Sequence, residues 1–347
     1  MGNILYFECA SGISGDMTAA ALLDLGADRE RLEKVLSTIP ANGFEIKISR
    51  VKKSGIDCMD FDVAVDEEHE THDHDMEWLY GHEHGDHDHG HDDHGHDHDH
   101  KHKHKHHDDD DHKHKHKHHD DHDHKHKHHD HDDHEHHHDH DHHHDHHHDH
   151  DHDHHGHDHH HDHGHDHHHE HRNMSDIMDV INRTEMDDEA RKLAVRIFEI
   201  LAEAESKAHG IDISEVHFHE VGAVDSIADI IAIAECFTDI CRKHNVTDVI
   251  VKGVSEGHGT VRTQHGILPV PVPAVVNIAK SHGIPMRTVN QRGELVTPTG
   301  AAFLAAVKTG NRLPETTVIR EVGLGAGKRE YELPGFLRVM IVEPGQA

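Results

Sequence analysis

Cysteine is scarce in this chain of 347 residues: Cys9, Cys58, Cys236 and Cys241 are all there is. No two of them have CxxC or framework spacing, which argues against a disulfide scaffold and predicts reduced cytosolic thiols. Long apolar runs are missing too. Stretches such as Ile230 to Ala234 are far too short to span a bilayer. The first ten residues, Met1 to Ala10, have no basic region of the kind that opens a signal peptide, and Tyr6 stands where a myristoylation pattern needs Ser or Thr. Positive charge is also short: 34 Lys and Arg face 69 Asp and Glu, with no basic stripe. That balance argues against a nucleic-acid binder and against an anionic-membrane binder. The expected location is cytoplasmic.

What the chain has in excess is histidine, 59 residues, of which 52 lie between His69 and His171 with 32 Asp or Glu and 8 Lys. In that stretch only Met76, Trp78, Leu79 and Tyr80 are hydrophobic, so it cannot bury enough apolar surface to offset its ordering entropy. The net charge of −35 counts histidine as neutral; with roughly a quarter of the imidazoles protonated at pH 7, part of it is offset. Without the tract, hydrophobic content rises to about 45%, the ordinary globular range. Mixed imidazole and carboxylate suit borderline first-row divalent ions, including nickel, copper, zinc and cobalt. Many weakly distinguished sites in one tract describe a reservoir rather than a catalytic centre.

The expected fold class is α/β, one globular domain of alternating strands and helices, in two parts (1–68 and 172–347) interrupted by a disordered His/Asp-rich insert (69–171). Ile4 to Cys9 reads as a strand, followed by a glycine loop and a helix through Leu25. Arg29 to Thr38 is a second helix, and Phe44 to Val51 and Ile56 to Val65 are strands joined at Lys53-Ser54-Gly55. Beyond the insert, Asp187 to Ala208 is amphipathic, Val216 to Val221 strand-like, Asp225 to about Cys241 a buried helix and Thr247 to Gly253 a strand. Helices are expected over Ala274 to Ser281 and Thr299 to Lys308, and closing strands near Thr316 to Val322 and Gly335 to Val342.

Four segments offer chemistry. On an extended His217-Phe218-His219-Glu220 the two imidazoles share a face, and Asp225 and Asp229 lie one helical turn apart. Together these groups make a candidate metal site; the plainer alternative is that Asp225 caps a helix and Asp229 is a solvated surface acid. Ser11-Gly12-Ile13-Ser14-Gly15-Asp16 follows a strand and precedes a helix, a setting that suits an anion. Gly253 to Thr260, with His258, Arg262 and His265, reads either as an irregular loop with surface histidines or as a glycine loop whose Arg262 pairs with an anion. Thr297-Pro298-Thr299-Gly300 offers hydroxyls and free N–H groups for a phosphate, or simply a helix cap. Gly323-Leu324-Gly325-Ala326-Gly327-Lys328 meets neither the dinucleotide fingerprint nor the P-loop rule, since its third glycine is one residue early and Val322 and Arg329 break the P-loop pattern.

Taken in order, Ser11 to Met17, Val216 to Asp229, His265 to Pro271, Glu294 to Ala301 and Gly323 to Gly327 resemble the LarC-type nickel insertion proteins, with the histidine-rich insert where that family carries one. The resemblance implies insertion of Ni²⁺ into pyridinium-3,5-bisthiocarboxylic acid mononucleotide, giving the nickel-pincer cofactor of lactate racemase and related enzymes. It implies a nickel chelatase, a metal-inserting lyase. Full-length members continue into a C-terminal domain that uses CTP with a divalent cation, present in some as a separate or fused product; this chain stops at Ala347. The expected partners are therefore the mononucleotide, nickel, that C-terminal domain or polypeptide, and a recipient racemase apoenzyme. The expected site is His217, His219 and Asp225 for catalysis, and Ser11, Gly12, Ser14, Gly15, Asp16, Arg262, Thr297 and Thr299 for substrate. For metal it is His217, His219, Glu220, Asp229, His258 and His265. The competing expectation is a non-catalytic nickel store or metallochaperone in which the tract is the whole function.

Overall fold

The computed structural model describes residues 2–65, 172–218 and 221–345. The histidine-rich tract, with His219 and Glu220, lies outside them. The described residues run through β1 (Asn3–Cys9), α1 (Gly15–Asp24), α2 (Arg29–Leu36), β2 (Phe44–Lys53) and β3 (Ile56–Val65) before the tract. After it come β4 (Arg172–Asn173), α3 (Met174–Arg183), α4 (Asp188–His209), a 3₁₀ turn at Ile213–Glu215, β5 (His217–Phe218) and α5 (Val224–Lys243). The chain continues through β6 (Val246–His258), β7 (Thr260–Thr263), β8 (Gly266–Pro269), α6 (Pro273–His282), β9 (Met286–Arg292), α7 (Pro298–Val307), β10 (Thr317–Ala326) and β11 (Phe336–Pro344).

Seven strands form one mixed sheet in the order β2-β3-β10-β11-β1-β6-β9. β1 is parallel to β6, β6 to β9 and β3 to β10, while β11 runs antiparallel to both β1 and β10, and β2 to β3. Five strands (β1, β3, β6, β9 and β10) therefore point the same way. Alternation along the strands divides the sheet into two faces. Leu5, Phe7, Val249, Val251, Leu337, Val339 and Ile341 belong to the main core under the helices. The opposite face carries a small cluster of Ile4, Ile250, Met340 and Val342.

α5 is apolar nearly all round, with Ile227, Ile230, Ile231, Ile233 and Ile240 buried, as befits a helix enclosed by α1, α2 and α4. Phe303 of α7 sits edge-on between Phe7 at 5.4 Å and Phe237 at 5.5 Å, joining sheet to helix layer. One buried acid is partnered at the surface of this layer: Glu235 of α5, only 3% exposed, accepts from the half-exposed Arg31 and from the backbone N–H of Asp187, the N-cap of α4.

Two sequence expectations change. Gly253 to His258 is not a loop but the second half of β6, where Val254, Ser255, Glu256 and Gly257 are buried. Gly257 is there for proximity: a Cβ would stand 2.0 Å from the carbonyl oxygen of Gly293. Among the described residues of the strand-like Val216 to Val221, a two-residue ladder forms, His217 opposite Asn173 and Phe218 opposite Arg172.

Candidate functional site

Four of the five co-directional strands, β1, β6, β9 and β10, lead into segments that line one cleft of about 270 Å³. Ligands of α/β proteins favour this position, outside the carboxyl ends of the strands. After β1, Gly12 adopts φ +86, and any side chain on it would strike the backbone of Leu295. That close approach lets Ile13 N–H donate to the Leu295 carbonyl (2.9 Å) while Thr297 N–H donates to the Ile13 carbonyl (3.1 Å). The loop before α1 and the segment before α7 are thereby locked together. Glu256 secures the second of them from below, its buried carboxylate accepting from the N–H groups of Gly257 and Leu295, both at 2.8 Å.

Three helix starts reach the cleft. At α1, Ser14 precedes the helix without capping it through its side chain; its hydroxyl donates to the Asp16 carboxylate. At α7, Thr297 accepts from Gly300 N–H (3.3 Å), and Thr297, Pro298 and Thr299 line the cleft, so the threonine is both cap and wall. At α5 the N-cap is Ala223 rather than Asp225, which occupies the first turn and faces the cleft with Ser226 and Asp229. Each helix start carries positive potential, a favourable seat for an anion.

Asp229 presses on α1 so closely that a Cβ on Gly15 would lie 2.4 Å from its carboxylate oxygen. Burial pushes its carboxyl well above the usual carboxylate range; Asp16 and Asp225 add to the shift and Lys328 opposes it. The fourth wall is the β10–β11 connection, with Gly327, Lys328, Arg329, Tyr331 and Gly335. Lys328 binds Asp62 at 2.6 Å; burial works against its charge, but Asp62, Asp16 and Asp229 outweigh it and hold the ammonium above its ordinary value. Arg329 lies 3.4 Å from the Glu294 carboxylate, and the Tyr331 hydroxyl donates to the Glu294 carbonyl at 2.8 Å.

The cleft thus brings together Ser11, Ser14, Gly15, Asp16, Asp225, Asp229, Thr297 and Thr299 from the residues singled out in the sequence. Gly12 serves the packing behind it. His217 is exposed on β5 and is not among the lining residues. Arg262 stands on β7, whose Val261 and Thr263 line the cleft with neighbouring Gln264. His258 ends β6 beside Asn290, 3.4 Å from its side-chain oxygen. His265 meets His209 and Glu205 in a separate cluster. Lys328, Arg329, Glu294 and Tyr331 are additions that the sequence did not single out for the site. Lys328 was in view only as the end of a failed nucleotide motif, whose glycines serve packing instead: a Cβ on Gly323 or Gly325 would strike the backbone of α1.

The described chain stops at Val65 and resumes at Arg172. Val65 ends β3 three residues after Asp62, the partner of Lys328, and Arg172 donates to the carbonyl of Gly222 (2.8 Å), next to the cleft residue Val221.

Glycine-shaped close approaches, three helix starts and a two-signed cleft define an α/β protein with a polar cleft at the carboxyl ends of its parallel strands. The chain belongs to the nickel insertion protein family, whose model matches residues 5–347. It is 38% identical over 343 residues to the pyridinium-3,5-bisthiocarboxylic acid mononucleotide nickel insertion protein of Alkaliphilus metalliredigens, covering 99% of this chain and 61% of the relative. The protein of the same name from Clostridium acetobutylicum is 36% identical over 98% of this chain and 64% of its own length, and that from Geobacillus kaustophilus 31% over 98% and 60%. The chain therefore spans somewhat over half the length of these relatives. No solved structure matches it. Among the described residues, no helix is long and apolar enough to cross a membrane.

Proposed function

We propose that this chain carries the metal-handling half of a nickel insertion enzyme acting on pyridinium-3,5-bisthiocarboxylic acid mononucleotide. The observation that carries this reading is the cleft itself, whose lining combines the starts of α1, α5 and α7, the carboxylates Asp16, Asp225 and Asp229, and the cations Lys328 and Arg329. An anionic mononucleotide is held by the helix starts and the cations, and the carboxylates face the metal side. Ser11, Ser14, Gly15, Thr297 and Thr299 are the substrate contacts. His217, His219, Glu220, His258 and His265 are metal ligands, His217 and His219 also acting in catalysis with Asp225, and Arg262, on β7, is an anion partner.

Joining nickel to a ring carbon releases the ring proton, and Asp229 in its ionised form, made more basic by its raised pKa, is the group to accept it, with Asp225 beside it. Thiolate sulfur draws a borderline ion from imidazole and carboxylate, which gives transfer its direction. The reaction class is that of a metal-inserting lyase. CTP with a divalent cation enters through a C-terminal domain or polypeptide beyond this chain, the product passes to a racemase apoenzyme, and the setting is the cytoplasm. The tract, 69–171, is the reservoir between the two parts of the α/β domain, 1–68 and 172–347. A store without chemistry would need the tract but not the cleft.

The test is an insertion assay with purified mononucleotide, nickel and CTP, with and without the C-terminal domain, read as the mass gain of the metallated product. Product only with CTP and both parts is expected. Tight CTP binding by this chain alone, seen by calorimetry, would contradict the division of labour, and no product under any condition would leave storage as the function.

A further inference from the structure

The last turn of α4 carries Glu205 and His209 one turn apart, with Nε2 of His209 3.4 Å from Oε2 of Glu205. Donors bound to one ion at about 2.1 Å each, at angles between octahedral and tetrahedral, lie roughly 3.0–3.4 Å apart, so this pair already has the spacing of two ligands on one metal. His265 arrives from far along the chain and sets its ring 4.8 Å, centroid to centroid, from that of His209. One donor atom from each of the three residues lies within 4.8 Å of the others, the single such group found among the described residues.

Both supporting backbones are fixed locally. Gly210 closes α4 in the left-handed region, its N–H donating to the Ser206 carbonyl (2.9 Å), and the Ser206 hydroxyl donates to the Ile211 carbonyl (2.7 Å). In the turn between β7 and β8, the Thr263 hydroxyl accepts from His265 N–H (3.1 Å) and donates to the Gly266 carbonyl (3.2 Å), while Gly266 takes φ +92. Two imidazoles and one carboxylate are a donor set for a borderline first-row divalent cation and a poor one for magnesium or calcium.

The position of the cluster gives it a use. Thr263 and Gln264 line the cleft, and His265 is the next residue. A single turn therefore connects cluster and cleft, and His209 and His265 are both solvent-exposed. We propose that Glu205, His209 and His265 form a site for a borderline divalent cation, holding it one residue away from the cleft to which it is passed. The passing rests on the nickel-insertion reading; the site does not.

Hydrogen exchange read by mass spectrometry tests this on the full chain, because it reports segment by segment and the tract cannot mask it. With nickel in excess over the tract's capacity, exchange across 203–212 and 260–269 should slow, by up to about 100-fold at free nickel 100 times the site's Kd. The effect should vanish in the double variant His209→Ala, His265→Ala and weaken in Glu205→Gln, which preserves side-chain size, while the other described segments exchange as in the parent. Magnesium should produce none of it. Absence of nickel-dependent slowing in the parent, or its survival in the double variant, would reduce the cluster to a Glu205–His209 contact with a tilted neighbouring ring. If insertion fails in the preceding assay while this protection stands, the failure belongs to the insertion reading and not to the site.

Discussion

Asp229 is where the demands of folding and of chemistry part company. Its carboxyl is held above the usual range chiefly by burial, with Asp16 and Asp225 reinforcing the shift. The folded state thus keeps a proton that the unfolded chain releases at ordinary carboxylate pH, near about 3.9. Between that pH and the raised folded value the folded form binds more protons, so stability falls as pH rises. Asp229→Asn removes the charge at constant shape. The variant should therefore melt at a higher temperature than the parent at pH 7, with the difference shrinking as pH drops below 4, measured by thermal denaturation at both pH values. Insertion should fall by about 10²-fold or more if this carboxylate accepts the ring proton. A variant that loses stability at pH 7 would show that the attraction of Lys328 exceeds the burial penalty.

At the scale of elements, the seam between α1 and β10 sets the shape of the cleft. Gly325 meets the helix so closely that a Cβ would lie 2.0 Å from the Met17 carbonyl oxygen; at Gly323 the corresponding distance is 2.2 Å, to Ala21. These neighbours are backbone and cannot swing aside as a side-chain end could. Gly325→Ala must push the helix off the strand and carry Ser14, Gly15 and Asp16 with it. Overpacking of this kind costs about 1–3 kcal/mol, so the urea midpoint should fall with an unchanged denaturant slope, and insertion should fall further than the stability loss explains. The same geometry accounts for the failed motif: its glycines allow helix–strand contact and leave Lys328, just beyond them, facing the cleft.

For the whole molecule, the tract and the α/β part answer to different physics. Composition alone says that 69–171 builds no apolar core, whereas the cleft is assembled from 11–17, 221–229, 261–264, 294–299 and 327–335. Excising 69–171 should leave the circular dichroism of the α/β part and the insertion rate at saturating nickel intact. It should lower the nickel bound per chain and slow insertion when nickel is scarce. Loss of insertion at saturating nickel with native circular dichroism would mean that the tract acts in the transfer step itself.

Periodicity and punctuation, which are local, made much of this protein legible as sequence. The α/β class, the ends of α1, α4 and α7 and the glycine loop after β1 all follow from residue spacing and type. Asp225 and Asp229 were visible as a pair because one helical turn separates them. Local signals fail where a residue is shaped by a distant partner. Gly257, Gly323 and Gly325 have the look of loop or nucleotide-binding glycines, yet each answers to a backbone segment elsewhere in the chain. The grouping of His265 with Glu205 and His209, and of Lys328 with Asp62 and Asp229, spans separations that no spacing rule covers. The sequence by itself determined most of the segments that become helix and strand, because backbone propensity belongs to single residues and their neighbours; α3 and β7 to β9, whose patterns are short or weakly periodic, were not among them. Only the tertiary structure decided which of those residues share a cleft, because strand order and close backbone approach depend on how the whole sheet packs against its helices.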